Sequence, residues 1–176
     1  MDILSHGLYG SIAFGRRNRK SFWLAFFFGI APDLFSFGIF FAERILGFAS
    51  GPDWKNGPPD PNTISSYVAS LYNITHSLII FAIVFGFVWL LRKKPLWEFL
   101  AWPLHILVDI PTHSSQFFPT PFLWPVSDFY IEGRSWGTPE IFIPNVIFLV
   151  AIYFWYFIIR KKRLAKRTAS LHGEKK

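Results

Sequence analysis

The chain contains no cysteine among its 176 residues. That excludes disulfides and thiolate metal sites. Any transition-metal site must use His, Asp, Glu and water. Charge is scarce as well. Only 16% of residues are Asp, Glu, Lys or Arg, against about 25% in soluble domains. No internal repeat and no coiled-coil heptad is present. A conventional signal peptide is also missing, because no positive charge precedes the first apolar stretch and no small-residue cleavage site follows it. The first segment is therefore expected to be retained.

Apolar and aromatic side chains are present in excess. The sequence is 52% hydrophobic and 20% aromatic, with 22 Phe and 8 Trp. This length suits one domain, and the long apolar runs predict an integral membrane protein. The net charge of +7 suggests nucleic acid until the charges are placed. Of the 18 Lys and Arg, 15 lie in three clusters: Arg16, Arg17, Arg19 and Lys20; Arg92, Lys93 and Lys94; and the tail from Arg160 to Lys176. Each cluster flanks an apolar segment, as the positive-inside rule expects of cytoplasmic loops. Nucleic acid is thus an unlikely partner. The basic tail suits an orientation signal and contact with anionic lipid.

The pattern predicts an all-α transmembrane helical bundle of about five membrane segments, with two Pro- and aromatic-rich outer loops. Segment one, Ile3 to Phe14, is short: ~12 residues make ~18 Å of helix against a ~30 Å hydrocarbon core. It is expected to insert partway or to pack inside the bundle, where Gly7, Gly10 and Ser11 would let another helix come close. Segment two runs from Ser21 to Ile45, segment three from Ile64 to Leu91, and segment four from Pro95 to Ile110. Segment five is "EIFIPNVIFLVAIYFWYFII". The stretch "GFASGPDWKNGPPDPNT" forms one outer loop, and Pro111 to Thr138 forms the other. Residues 1-160 make one membrane domain, and 161-176 a basic, disordered cytoplasmic tail.

Ionisable residues inside membrane segments are costly and point to function. His6, Asp33, His76, His105 and Asp109 all lie in such segments. They fall 10, 13, 16, 11 and 15 residues from the nearest end of a basic cluster. At ~1.5 Å per residue, that places all five ~15–24 Å above the cytoplasmic edge, in one layer. Residues converging on one site would share a depth; scattered core residues would not. His105 and Asp109 are one helical turn apart and share a face. Pro111 ends or kinks that helix, so His113 is expected to fold over the site from the loop. Imidazole and carboxylate together suit zinc or a similar divalent ion. Such an ion supplies a water of lowered pKa able to attack an ester. Each residue also has a plainer reading. A buried His can be a hydrogen-bonded core residue. Asp33 after Pro32 can cap a helix break. Thr75 and Ser77 can bond back to their own helix. Ser77, Thr112 and Arg134 are the candidate substrate contacts, although Arg134 also fits an ordinary surface position.

"SHGLYG", "APDL", "ITHSL" and "HILVDIPTHS…PFLWPVS", spread from Ser5 to Ser127, together resemble the YdjM-like membrane-bound metal-dependent hydrolases of bacterial inner membranes. That group is considered related to zinc-dependent phospholipase C. The resemblance implies a helical metal site that hydrolyses an ester or phosphoester, in a multi-pass protein of the bacterial inner membrane with a cytoplasmic C-terminus. By position it assigns His6, Asp33, His76, His105 and Asp109 as ligands. The step from His105 to Asp109 is also similar to a metal-binding step in the phospholipase group. Two positions depart from the family pattern. Phe35 stands where an acidic residue is frequent, and Leu71 where a His is frequent. Both departures weigh against a full multi-metal site. Three readings follow. The first is a membrane metallohydrolase with His6, Asp33, His76, His105, Asp109 and His113 at the metal, Asp33 also serving as base, and a lipid-like or phosphoester substrate. The second is a proton- or ion-coupled transporter that uses the same His and Asp. The third is a non-catalytic membrane scaffold with a structural metal or polar network.

Overall fold

The computed structural model describes residues 1–48 and 64–173. It contains helix and loop, with no strand among the described residues. Six α-helices follow in order: α1 (Ile3–Phe14), α2 (Arg19–Ile45), α3 (Ser66–Thr75), α4 (Leu78–Arg92), α5 (Ala101–Asp109) and α6 (Pro139–Gly173). A single 3-10 turn, Trp97–Leu100, leads into α5. The outer loop expected within 49–63 lies outside the described residues.

The all-helical expectation holds, but the count of spans is coarser than five. Two helical stretches are long and apolar enough to cross a membrane, Arg19–Ile45 and Pro139–Ile159. A third arises if α3 and α4 are taken as one span, bent by 61°. The other two segments are short. α1 has 12 residues, and the 3-10 turn with α5 adds 4 to 9. Either gives only ~20 Å of helix, well below a ~30 Å core. α6 continues as helix to Gly173, into the basic stretch that begins at Arg160. Its Lys-, Arg- and Ala-rich composition favours that extension.

α2 sits at the centre and touches α1, α3, α5 and the 3-10 turn. Small residues set how closely its neighbours approach. A Cβ on Gly29 would lie 2.5 Å from the His6 carbonyl oxygen, and one on Gly10 would lie 2.8 Å from the Ala25 carbonyl oxygen. The glycine faces of α1 and α2 thus bring the two backbones together, as the spacing of Gly7 and Gly10 predicts. Both helices start on side-chain caps: Asp2 accepts from the Ser5 N–H, and Asn18 from the Ser21 N–H. Polar contacts tie α6 to α1. Tyr9 Oη donates to Asn145 Oδ1 at 2.6 Å, Asn145 Nδ2 to Ser5 Oγ at 2.8 Å, and Tyr153 Oη to the Leu8 carbonyl at 3.1 Å. Between Glu140 and Ile159 most other α6 side chains face outward, including Ile143, Ile147, Val150 and Phe154, as expected of a lipid-facing helix.

The break between α3 and α4 lies at His76 and Ser77. Ser77 Oγ accepts from the N–H groups of Ile79 and Ile80 and so caps α4. The 110–138 loop holds the break open. The Leu78 N–H donates to the Phe122 carbonyl at 3.0 Å, and Ser77 Oγ donates to the Trp124 carbonyl. Trp102 Nε1 donates to the Thr75 carbonyl at 2.6 Å, which satisfies an acceptor at the end of α3.

Candidate metal centre

Three helices and one break between helices bring side chains together: α1 gives His6, α2 gives Asp33, the α3–α4 break gives His76, and α5 gives His105 and Asp109. Asp33, His76, His105 and Asp109 each offer one ligand atom, and these atoms lie within 4.8 Å of one another. This group could hold a metal ion. His76 Nε2 is 3.1 Å from His105 Nε2. Asp109 Oδ2 is 3.0 Å from His105 Nε2 and 3.5 Å from His76 Nε2. Asp33 Oδ1 is 3.5 and 3.7 Å from the same two nitrogens. The side chains of His76, His105 and Asp109 are fully buried, and Asp33 is 15% exposed.

The far side of each imidazole fixes its proton. His105 Nδ1 faces the Gly29 carbonyl at 2.7 Å. His76 Nδ1 faces the Tyr72 carbonyl at 3.2 Å and the Thr75 hydroxyl at 3.0 Å. A carbonyl can only accept, so neutral His105 carries its proton on Nδ1 and presents a lone pair at Nε2, and the Tyr72 carbonyl favours the same tautomer in His76. Backbone oxygens that orient metal-binding histidines act in this way. In that tautomer two lone pairs face each other across 3.1 Å, with carboxylate oxygens on either side. Asp109 Oδ2 has no hydrogen-bond partner among the described residues. Four acceptor atoms that converge in this way repel one another, and a shared proton or a metal cation relieves the repulsion. The donor set of two imidazoles and two carboxylates suits zinc or a similar divalent ion.

The second oxygen of Asp109 faces a different group. His6 Nε2 lies 3.0 Å from Oδ1, and His113 Nε2 lies 3.5 Å from it. The Met1 nitrogen bonds the same oxygen and lies 3.1 Å from His113 Nε2. The His6 ring stacks on His105, with centroids 3.6 Å apart, and neither His6 nitrogen makes a hydrogen bond among the described residues. His113 Nδ1 faces the Phe118 carbonyl at 3.0 Å and Tyr72 Oη at 2.8 Å, so its Nε2 also points inward as an acceptor. His6 and His113 thus flank Asp109 on the side away from the four-ligand group.

The supporting shell escaped the sequence reading. Tyr72, one turn before His76, stacks on that ring with centroids 3.7 Å apart, and its hydroxyl donates to the Phe118 carbonyl at 3.0 Å. Phe118 holds a positive φ of 47°, which is costly for a side chain of its size. That turn carries the carbonyl shared by Tyr72 and His113. Ser36 on α2 meets Thr75 Oγ1 at 2.7 Å and ties the two helices beside the site. A backbone contact on the return limb of the loop closes over His113. Gly133 N–H donates to the His113 carbonyl at 2.9 Å, where a Cβ would approach to 2.3 Å.

The three candidate substrate contacts are placed differently. Ser77 is committed to capping α4 and to Trp124. Thr112 Oγ1 donates to the Val108 carbonyl at 2.9 Å and lies 3.3 Å from the Met1 nitrogen, at the edge of the cluster. Arg134 bonds the Pro111 carbonyl through its backbone N–H. Its exposed side chain makes no hydrogen bond or ion pair with the cluster among the described residues. Compared with known protein families, with curated proteins and with solved structures, the chain matches none.

Proposed function

We propose that this protein is an integral membrane metal-dependent hydrolase that cleaves an ester or phosphoester, with a lipid-like substrate the best fit. The reading rests on one observation above the others: His76 Nε2 and His105 Nε2 face each other at 3.1 Å beside two carboxylates, and one ligand atom from each of the four residues lies within 4.8 Å of the rest. A divalent ion would supply a Lewis acid and a water of lowered pKa there. His76, His105 and Asp109 would hold it, with their rings kept in the right tautomer by the Tyr72 and Gly29 carbonyls. Asp33 is the one member with an open edge. It is placed to take the proton of an attacking water and to return it to the departing alcohol. Leu34 and Phe35, next to it on α2, are 43% and 54% exposed. A substrate reaching Asp33 would therefore approach along an apolar flank, which favours an amphiphile over a soluble ester. The resemblance to the YdjM-like hydrolases agrees with this reading, as does a bacterial inner-membrane location with the basic clusters in the cytoplasm.

A structural metal is the rival, and the tight burial of the cluster favours it. Four protein ligands would close a tetrahedral site, as structural zinc sites do. Two measurements separate the readings. Metal content of the purified protein in detergent is expected to be stoichiometric in wild type and lost in His105→Ala and Asp109→Ala. Turnover on a panel of phospholipids and phosphoesters is expected in the metal-loaded protein. Native protein without stoichiometric metal would sink both readings. Metal without turnover would leave the scaffold.

A further inference from the structure

Away from the candidate metal centre, the start of α2 carries a shallow, open groove lined by Arg19, Lys20, Trp23, Leu24 and Phe27. The residues fall in two rows at one-turn spacing, Arg19–Trp23–Phe27 and Lys20–Leu24, so they share a helix face. Trp23 is 54% exposed and Phe27 41%. The two cations are exposed, and among the described residues neither makes an ion pair. Their neighbour Arg17, in contrast, is already paired with Glu98.

We propose that this groove binds an anionic phospholipid. Its chemistry is layered. Arg19 and Lys20 stand at one end, where a phosphate would meet two uncommitted positive charges. Trp23 lies one turn along the helix, ~6 Å away, and Phe27 two turns along, ~12 Å away. Those are the depths of the glycerol backbone and the upper acyl chain, and Trp favours that level of a bilayer. α2 is long and apolar enough to cross the membrane, so the face is presented to lipid. A soluble anion would use only the charged end and leave the aromatic floor uncovered. A zwitterionic lipid would bring its own cation against Arg19 and Lys20. Anionic phospholipid satisfies both ends of the groove.

The test uses the full chain in detergent micelles, with phosphatidylglycerol and phosphatidylcholine as probes. Native mass spectrometry is expected to show retained phosphatidylglycerol. In the Arg19→Gln/Lys20→Gln variant that retention is expected to weaken on the order of tenfold, with phosphatidylcholine unchanged. Phosphatidylglycerol with brominated acyl chains is expected to quench wild-type tryptophan fluorescence more than that of Trp23→Phe. Both substitutions are on an exposed face, and retained metal content confirms that each variant is folded. Equal retention of the two lipids, or unchanged retention in the double variant, would overturn the proposal. So would displacement by inorganic phosphate, which would mark a simple anion site. A dimer that disappears in the variant without any lipid adduct would assign the groove to a second copy of the chain instead.

Discussion

Glu98 and Asp109 are both carboxylates of the same short segment, and both are essentially out of contact with solvent, at 1% and 0% exposure. Glu98 Oε1 receives the Arg17 guanidinium and the Ser21 hydroxyl. Asp109 Oδ2 has no hydrogen-bond partner among the described residues, and instead faces Nε2 of His76 and of His105. Glu98 also leaves one oxygen, Oε2, without a partner, but it is not among the residues that gather around a common point. The group formed by Asp33, His76, His105 and Asp109 does gather so. A buried charge must be paired or coordinated. The fold supplies each carboxylate with one cation from its own sequence, Arg17 at Glu98 Oε1 and the Met1 ammonium at Asp109 Oδ1. What sets Asp109 apart is its other oxygen, which faces the ring nitrogens of His76 and His105 in a group that could hold a metal ion.

The largest effect expected from breaking this contrast is at Asp109. Asp109→Asn keeps the shape and removes the charge, so bound metal is expected to fall from stoichiometric to near none by elemental analysis. Glu98→Gln, an equal change of charge in the same segment, is expected to leave metal content intact. Loss of metal in both variants would mean that the two carboxylates do not differ as described. Chelation should come next in size. An ion bound to the folded state stabilises it by about 2.7 kcal/mol when free metal is ~100-fold above its dissociation constant. Removing it is expected to lower the thermal midpoint of wild type and of Glu98→Gln, and to leave Asp109→Asn unmoved.

The clustered residues were legible in the sequence because His and Asp stand out in apolar segments. Counting from the basic clusters placed His6, Asp33, His76, His105 and Asp109 at one depth, and in the structure they meet. The break at His76 was not legible. Ile64 to Leu91 reads as one continuous run, with no Pro or Gly near the bend. The break is held from a distance, by the Phe122 and Trp124 carbonyls. The orienting shell was hidden for a related reason. It consists of the backbone oxygens of Gly29, Tyr72 and Phe118, and every residue has one. Only the fold decides which of them face a histidine. Glu98 was missed because a lone acid beside Trp97 and Phe99 reads as an interfacial residue, and its partner Arg17 lies 81 positions away.

Tyr72 offers a smaller and sharper test of the same contrast. It touches the site only through others, by stacking on His76 and by holding the Phe118 carbonyl that orients His113. Tyr72→Phe keeps the stack and removes the hydroxyl. Loss of such an outer-shell hydrogen bond weakens metal affinity on the order of 10-fold. Competition with a metal-binding dye is expected to show that drop with stoichiometry preserved. An unchanged affinity would mean that His113 stands outside the site.

The smallest effect is expected at Arg17. Its side chain is 66% exposed, so solvent screens most of its attraction to Glu98. Arg17→Ala is expected to cost at most about 1 kcal/mol of stability, less at high salt, with metal content and chelator response unchanged. The Ser21 hydroxyl remains on Glu98 Oε1, and water can take the place of the exposed guanidinium. A much larger loss, or one insensitive to salt, would show that Glu98 relies on Arg17 as a buried partner, in the way that Asp109 Oδ1 has the buried Met1 ammonium.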